Sequence, residues 1–121
     1  MKIQRMYIAG APASAPFLNE IEVMLADSFF ARLAGLMFRR RLPPATGLLL
    51  VPCNSVHMCF MRFAIDVVYI DKDYNIIKVV RNLKPWLGVS ICSRAWATLE
   101  MTAGEAERCG CSAGKKITLI M

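Results

Sequence analysis

IDVVYIDKDYNIIKVV, residues 65–80, is the stretch on which the fold turns. Its first part, Ile65 to Asp71, is dense in β-branched and aromatic residues, which suit a pleated, buried surface. Lys72, Asp73, Tyr74 and Asn75 supply turn chemistry, and Ile76 to Val80 read as a returning strand. The stretch predicts an antiparallel hairpin. Asp66 lies inside its first strand, and Glu100 lies in a similarly apolar run, ATLEMTAG (97–104). A carboxylate so placed needs a partner or hydrogen bonds, because burying it unpaired is costly. Arg62 and Arg94 are the natural partners by type.

Upstream, SVHMCFM (55–61) holds the single histidine of the chain, His57, with Cys59 two residues on and Cys53 four residues before. Read as a strand, it places His57, Cys59 and Met61 on one face and Val56, Met58 and Phe60 on the other. TGLLLVP (46–52) is a short buried strand bounded by Gly47 and Pro52, and IEVML (21–25) alternates as a half-buried one. Between them, Asp27 or Ser28 can cap a helix from Phe29, with Phe30, Leu33 and Met37 on one stripe. Leu42-Pro43-Pro44 ends it. GAPASAP (10–16) cannot hold regular structure, so residues 1–16 are expected to be a loose or edge segment ahead of one globular domain, 17–121.

Downstream, RAWATLEM (94–101) and KKITLI (115–120) read as strands. AGEAERCG (103–110) between them reads as a two-turn helix, with acids in its first turn and Gly110 at its end. The whole is an α+β domain of six or seven mostly antiparallel strands, with one main helix and one short helix.

Composition narrows the function less than the fold. With 121 residues, 56% of them hydrophobic, the chain can build a core without disulfides or metal. Five cysteines, an odd number, argue against a disulfide framework and for a reducing cytoplasm, with a secreted or periplasmic role left open. The apolar run from Met6 to Gly10 is too short for a signal peptide, and no run approaches a membrane span. The net charge of +6 is spread along the chain except at Arg39-Arg40-Arg41, which reads as a solvated helix end, with contact to nucleic acid or anionic lipid as the alternative. No nucleic-acid motif accompanies it, so no nucleic-acid partner is expected. Phosphate-binding loops and a Gly-x-Ser-x-Gly elbow are absent.

His57 and Cys59, with Cys53, have the residue types of a thiol nucleophile and its base, or of a soft metal site. The spacing of Cys53 and Cys59 is not a zinc spacing, and the cysteines read better as packing residues. Trp86 and Trp96 are taken as core residues, with a flat-ligand cleft as the alternative.

These segments together resemble an uncharacterised bacterial and archaeal family, domain of unknown function 192, also called uncharacterised protein family 0127. The resemblance runs from about Phe17 to the C-terminus. It rests on Arg32 to Met37 (Arg-x-x-Gly-Leu-Met), the segment closing on Asp66, and Leu99-Glu100 with Ala103-Gly104. Cys53-Asn54-Ser55-Val56-His57 matches the family's Cys-Asn-Ser-Ile-His branch. Ala64 stands where a proline is expected, and Met58 where a threonine is common. Other members carry tryptophan at the position of His57, an exchange a metal ligand would not tolerate.

The resemblance implies a compact, β-rich, partly barrel-like domain with no established activity, cofactor or substrate. It ties together His57, Arg62, Asp66, Glu100 and Gly104, with Cys53, Cys59 and Arg32 as secondary candidates. The leading expectation is a non-enzymatic binding module whose apolar cleft, edged by His57, Arg62, Asp66 and Glu100, holds a small molecule or protein segment. No cofactor or metal is expected. The alternatives are a small enzyme using His57 with Asp66 or Cys59, and a secretion or envelope accessory protein docking through Arg39–Arg41.

Overall fold

The computed structural model describes residues 3–8, 21–26, 42, 45–58 and 60–120. Among them are nine strands: β1 (Ile3–Ile8), β2 (Ile21–Ala26), β3 (Thr46–Leu50), β4 (Ser55–His57), β5 (Ile65–Ile70), β6 (Ile76–Leu83), β7 (Val89–Ile91), β8 (Ala97–Thr102) and β9 (Ile117–Ile120). One helix, α1 (Glu105–Cys109), joins β8 towards β9. Seven strands form one sheet in the order β6-β5-β8-β3-β2-β1-β9, and β4 pairs with β7 in a separate two-stranded lobe. All pairings are antiparallel except β2 with β3. A parallel pair needs a crossover. The helix expected from Phe29, with Arg32 and Arg39–Arg41, falls in that connection and lies outside the described residues, as does Cys59.

The hairpin at 65–80 forms as expected, and all six residues of β5 are buried. A strand buried on both faces has lost its alternation, as the run IDVVYI shows. β5 and β8 each bury a face in two separate cores. On the inner face Val68, Ile70, Ala97, Leu99 and Met101 pack with Met6, Ile21, Val23, Ile76, Ile117 and the helix residues Ala106 and Cys109. On the outer face Ile65, Val67, Tyr69, Leu48 and Leu50 pack with Val56, Met58 and Met61 from the lobe.

Both end strands of the sheet, through Ile76 and Ile117, reach the inner core, so the sheet curls around it. It does not close into a barrel: β6 and β9 do not pair, and the residues just before them, Asn75 and Lys116, form an isolated bridge.

Several expected boundaries move. Residues 3–8 of the expected loose segment form β1, an inner strand between β2 and β9, with Met6 buried. The strand expected over 55–61 stops at His57. Phe60 takes a left-handed backbone (φ 64°) in a turn closed by Met61 N–H on Met58 O, 3.1 Å. That turn swaps the faces, burying Met61 and exposing Phe60. The strand expected from Arg94 begins at Ala97, because Arg94 and Ala95 belong to a turn in which Ala95 N–H bonds Cys92 O.

Candidate functional site

Asp66 is 1% exposed, and its oxygens accept backbone N–H groups, not Arg62. Oδ1 takes Asn82 N–H at 2.9 Å, while Oδ2 takes Gly104 N–H at 2.9 Å and Ala106 N–H at 3.0 Å. Each partner has a local cause. Asn82 sits where β6 carries an extra residue opposite Asp66, a bulge that frees its N–H from the ladder. Gly104 has φ 97° and precedes α1, so its backbone can turn two amides towards one oxygen. Asp66 is therefore a staple joining β5, the β6 bulge and the start of α1.

Glu100 has the same burial and none of the support. In β8 it lies opposite Val67, whereas Asp66 lies opposite Met101, so the two carboxylates project from opposite faces of the sheet. The expected cleft edged by both does not form. Glu100 is 5% exposed on the outer face between Leu48 and Val67, without a hydrogen bond or ion pair among the described residues, and burial pushes its carboxyl up to about 7.

Its neighbours along the outer face are also polar. Thr98 donates to Cys53 O at 2.8 Å, but Thr102 Oγ1 and Tyr69 Oη are buried without partners among the described residues. Burial raises the Tyr69 pKa, and Ser90 of β7 draws it down, although the two hydroxyls fall short of hydrogen-bond geometry. Sequence reasoning missed Tyr69 and Thr102; their place in register opposite Thr98 and Ile65 was the deciding information.

His57 is exposed on β4, opposite Val89 of β7, and Arg62 is exposed beyond the lobe. His57, on the lobe, and Asp66, under α1, do not meet. Cys53 is half-buried, its thiol donating to Ser55 O at 3.2 Å. Cys109 and Cys111 are free thiols in the inner core. Burial raises both pKa values, that of Cys111 to about 12, so neither supplies a thiolate near neutrality. No three metal-ligating side chains converge among the described residues.

The lobe is where apolar surface reaches solvent. Phe60 (45% exposed), Trp86 (57%), Leu87 (88%), Val89 (75%) and Ile91 (63%) all lie on it or its turns. Phe60 and Trp86 meet edge to face at 5.1 Å, and Trp86 N–H bonds Met58 O at 2.7 Å, locking two turns together. Trp86 is thus not a core residue, although Trp96 packs against the inner core and Tyr74 as expected. The position of Trp86 in Pro85-Trp86-Leu87-Gly88 was the available signal, since turns run over the surface. At the far end of the sheet, an open groove of about 450 Å3 runs between Pro52, the Asp71–Asp73 turn and Arg94–Trp96. It includes none of His57, Arg62, Asp66 or Glu100. The Asp71 carboxylate there is engaged by Asp73 N–H and Asn75 N–H, and the Asn75 bond leads in lowering its pKa.

Residues 12–119 match the family described as "Uncharacterized ACR", domain of unknown function 192. The chain belongs to this family. UPF0127 proteins of Pyrococcus horikoshii and Pyrococcus furiosus are 38% and 39% identical to it over 72 and 71 residues, covering 55% and 54% of this chain. The matched region spans 60% and 59% of those relatives' length. Two crystal structures share the fold. A Sinorhizobium meliloti protein, provisionally called a transcription regulator, has a TM-score of 0.84 at 23% identity, covering 98% of this chain and 94% of that one. A Novosphingobium aromaticivorans protein of unknown function has a TM-score of 0.79 at 21% identity, covering 96% and 84%. The family is uncharacterised, and no specific function attaches to these relatives. No helix among the described residues is long and apolar enough to cross a membrane.

Proposed function

We propose that this chain is a binding module without chemistry of its own, and that the β4–β7 lobe, not a cleft between Asp66 and Glu100, is its binding surface. The carrying observation is five large apolar side chains, 45–88% exposed, gathered on one lobe. Single exposed apolar residues are ordinary, whereas contiguous ones mark interaction surfaces. His57 belongs to this surface as a neighbour of Val89, a position an aromatic ring such as tryptophan can also fill. Asp66 and Gly104 support the module from the opposite face as parts of its frame. An enzyme built on His57 and Asp66 finds no support, because Asp66 is engaged by three amides away from the lobe.

The reading is tested with a photoreactive residue placed in turn at Leu87, at Ile91 and, on the exposed side of α1, at Glu107. Adducts formed in living cells should concentrate at the two lobe positions. Equal or greater adduct formation at Glu107 overturns it.

A further inference from the structure

Two exposed turns meet at the tip of the lobe, and both hold an aromatic residue in a left-handed backbone: Phe60 at φ 64° and Trp86 at φ 68°. Asparagine or glycine fills such positions with less strain. Both rings stay open to solvent while meeting edge to face, Phe60 45% and Trp86 57% exposed. Leu87, next to Trp86, is 88% exposed, which makes this tip convex. A folded protein must offer a pocket to receive such a projection, whereas a bilayer receives it without one.

Three cations lie on or beside the lobe. Lys84 begins the turn that carries Trp86, and its carbonyl accepts Gly88 N–H at 3.2 Å. Arg62 is exposed two residues after Phe60, and Lys78 Nζ reaches Ile91 O at 3.3 Å on the edge of β7. No Asp or Glu occurs between Asp27 and Asp66 or between Asp73 and Glu100, the stretches that contain β4, β7 and both turns. The acids that bound those stretches on the lobe side, Asp66 and Glu100, are buried. An exposed Trp-Leu projection with Lys84 two residues before Trp86, and with Arg62 and Lys78 exposed on adjoining segments, is complementary to headgroups above and acyl chains below.

We infer that the lobe docks on the surface of an anionic lipid bilayer, with Trp86 and Leu87 entering the interface and Arg62, Lys78 and Lys84 facing the headgroups. This rests on the lobe being the binding surface and names its partner.

The test is cosedimentation of the purified chain with vesicles of equimolar phosphatidylglycerol and phosphatidylcholine, and with vesicles of phosphatidylcholine alone. Binding to the mixed vesicles is expected, with much weaker binding to the neutral ones. It should fall in 1 M salt, where the screening length shrinks to about 3 Å. Trp86→Ser with Leu87→Ser should lower the partition coefficient about tenfold or more. Lys84→Gln and Arg62→Gln should each lower it about fivefold. Circular dichroism confirms that these surface variants stay folded. No binding to mixed vesicles overturns the inference, as does binding that Trp86→Ser with Leu87→Ser leaves unchanged. Lobe adducts in cells that carry protein mass only, such as an acidic partner, also overturn it while leaving the binding-module reading intact. Adducts favouring Glu107 defeat that reading itself.

Discussion

Asp66 and Glu100 are both nearly inaccessible to solvent, on neighbouring strands, one register step apart. One accepts three amides and the other accepts nothing among the described residues. The difference lies in what covers each face. Over Asp66, a helix start and a strand bulge bring unused N–H groups, donors that need an acceptor as much as the carboxylate needs them. Beside Glu100 stand Leu48 and Val67, opposite it on the two adjoining strands, and both belong to the apolar outer core. The same residue type is a clamp on one side and an unmatched group on the other, so its identity alone assigns neither role.

The contrast is most severely tested by removing the clamp. Asp66→Ala strands three amides and should cost roughly 3–5 kcal/mol in urea unfolding, within the range for breaking a buried, hydrogen-bonded charge. A loss below about 1 kcal/mol would mean the amides find other acceptors. Next comes the pH dependence of Glu100. Between its ordinary 4.5 and about 7, the folded chain holds a proton that the unfolded chain has released. Stability should therefore fall as pH rises through that window, by about 3 kcal/mol in total, and level off above it. Glu100→Gln should flatten that slope, and an unchanged slope in the variant would remove Glu100 as its source.

Smaller effects sharpen the comparison. At Gly104 an added methyl would meet nothing within 4 Å, so Gly104→Ala tests the left-handed backbone alone. It should cost about 1 kcal/mol, measured by thermal or urea unfolding. Tyr69→Phe deletes a hydroxyl that has no hydrogen bond among the described residues and should change stability by no more than about 0.5 kcal/mol in either direction. A large loss there would reveal a partner for Tyr69 and make the outer face less unlike the inner one.

What the chain reveals in advance divides along similar lines. The hairpin at 65–80 was legible because β5 is apolar apart from Asp66 and rich in β-branched and aromatic residues, and Lys72–Asn75 is a turn by composition. The short helix was legible from its acidic first turn and from Gly110, which ends it with φ 76°. That Asp66 needed partners was also legible, but their identity was not. Gly104 N–H lies 38 residues away, and a backbone amide carries no signature in sequence. The opposite placement of Asp66 and Glu100 depends on register, where a slip of one residue would put them on the same face. β7 has three residues, too few for a period, and the Gly, Pro and Ala residues of GAPASAP, next in sequence, obscured β1.

The strand order has a kinetic consequence. β1 pairs along one edge with β9, Ile8 opposite Ile117, so the inner core draws on both Met6 and Ile117. Loops of that span close slowly, because their entropy is lost before any contact repays it. During synthesis the hairpin of β5 and β6 can form from adjacent residues. The far side of the sheet must wait until residue 117 and those after it leave the ribosome. Until then β1 offers an unpaired edge, and this is the interval in which the nascent chain is most open to mispairing with another copy of itself.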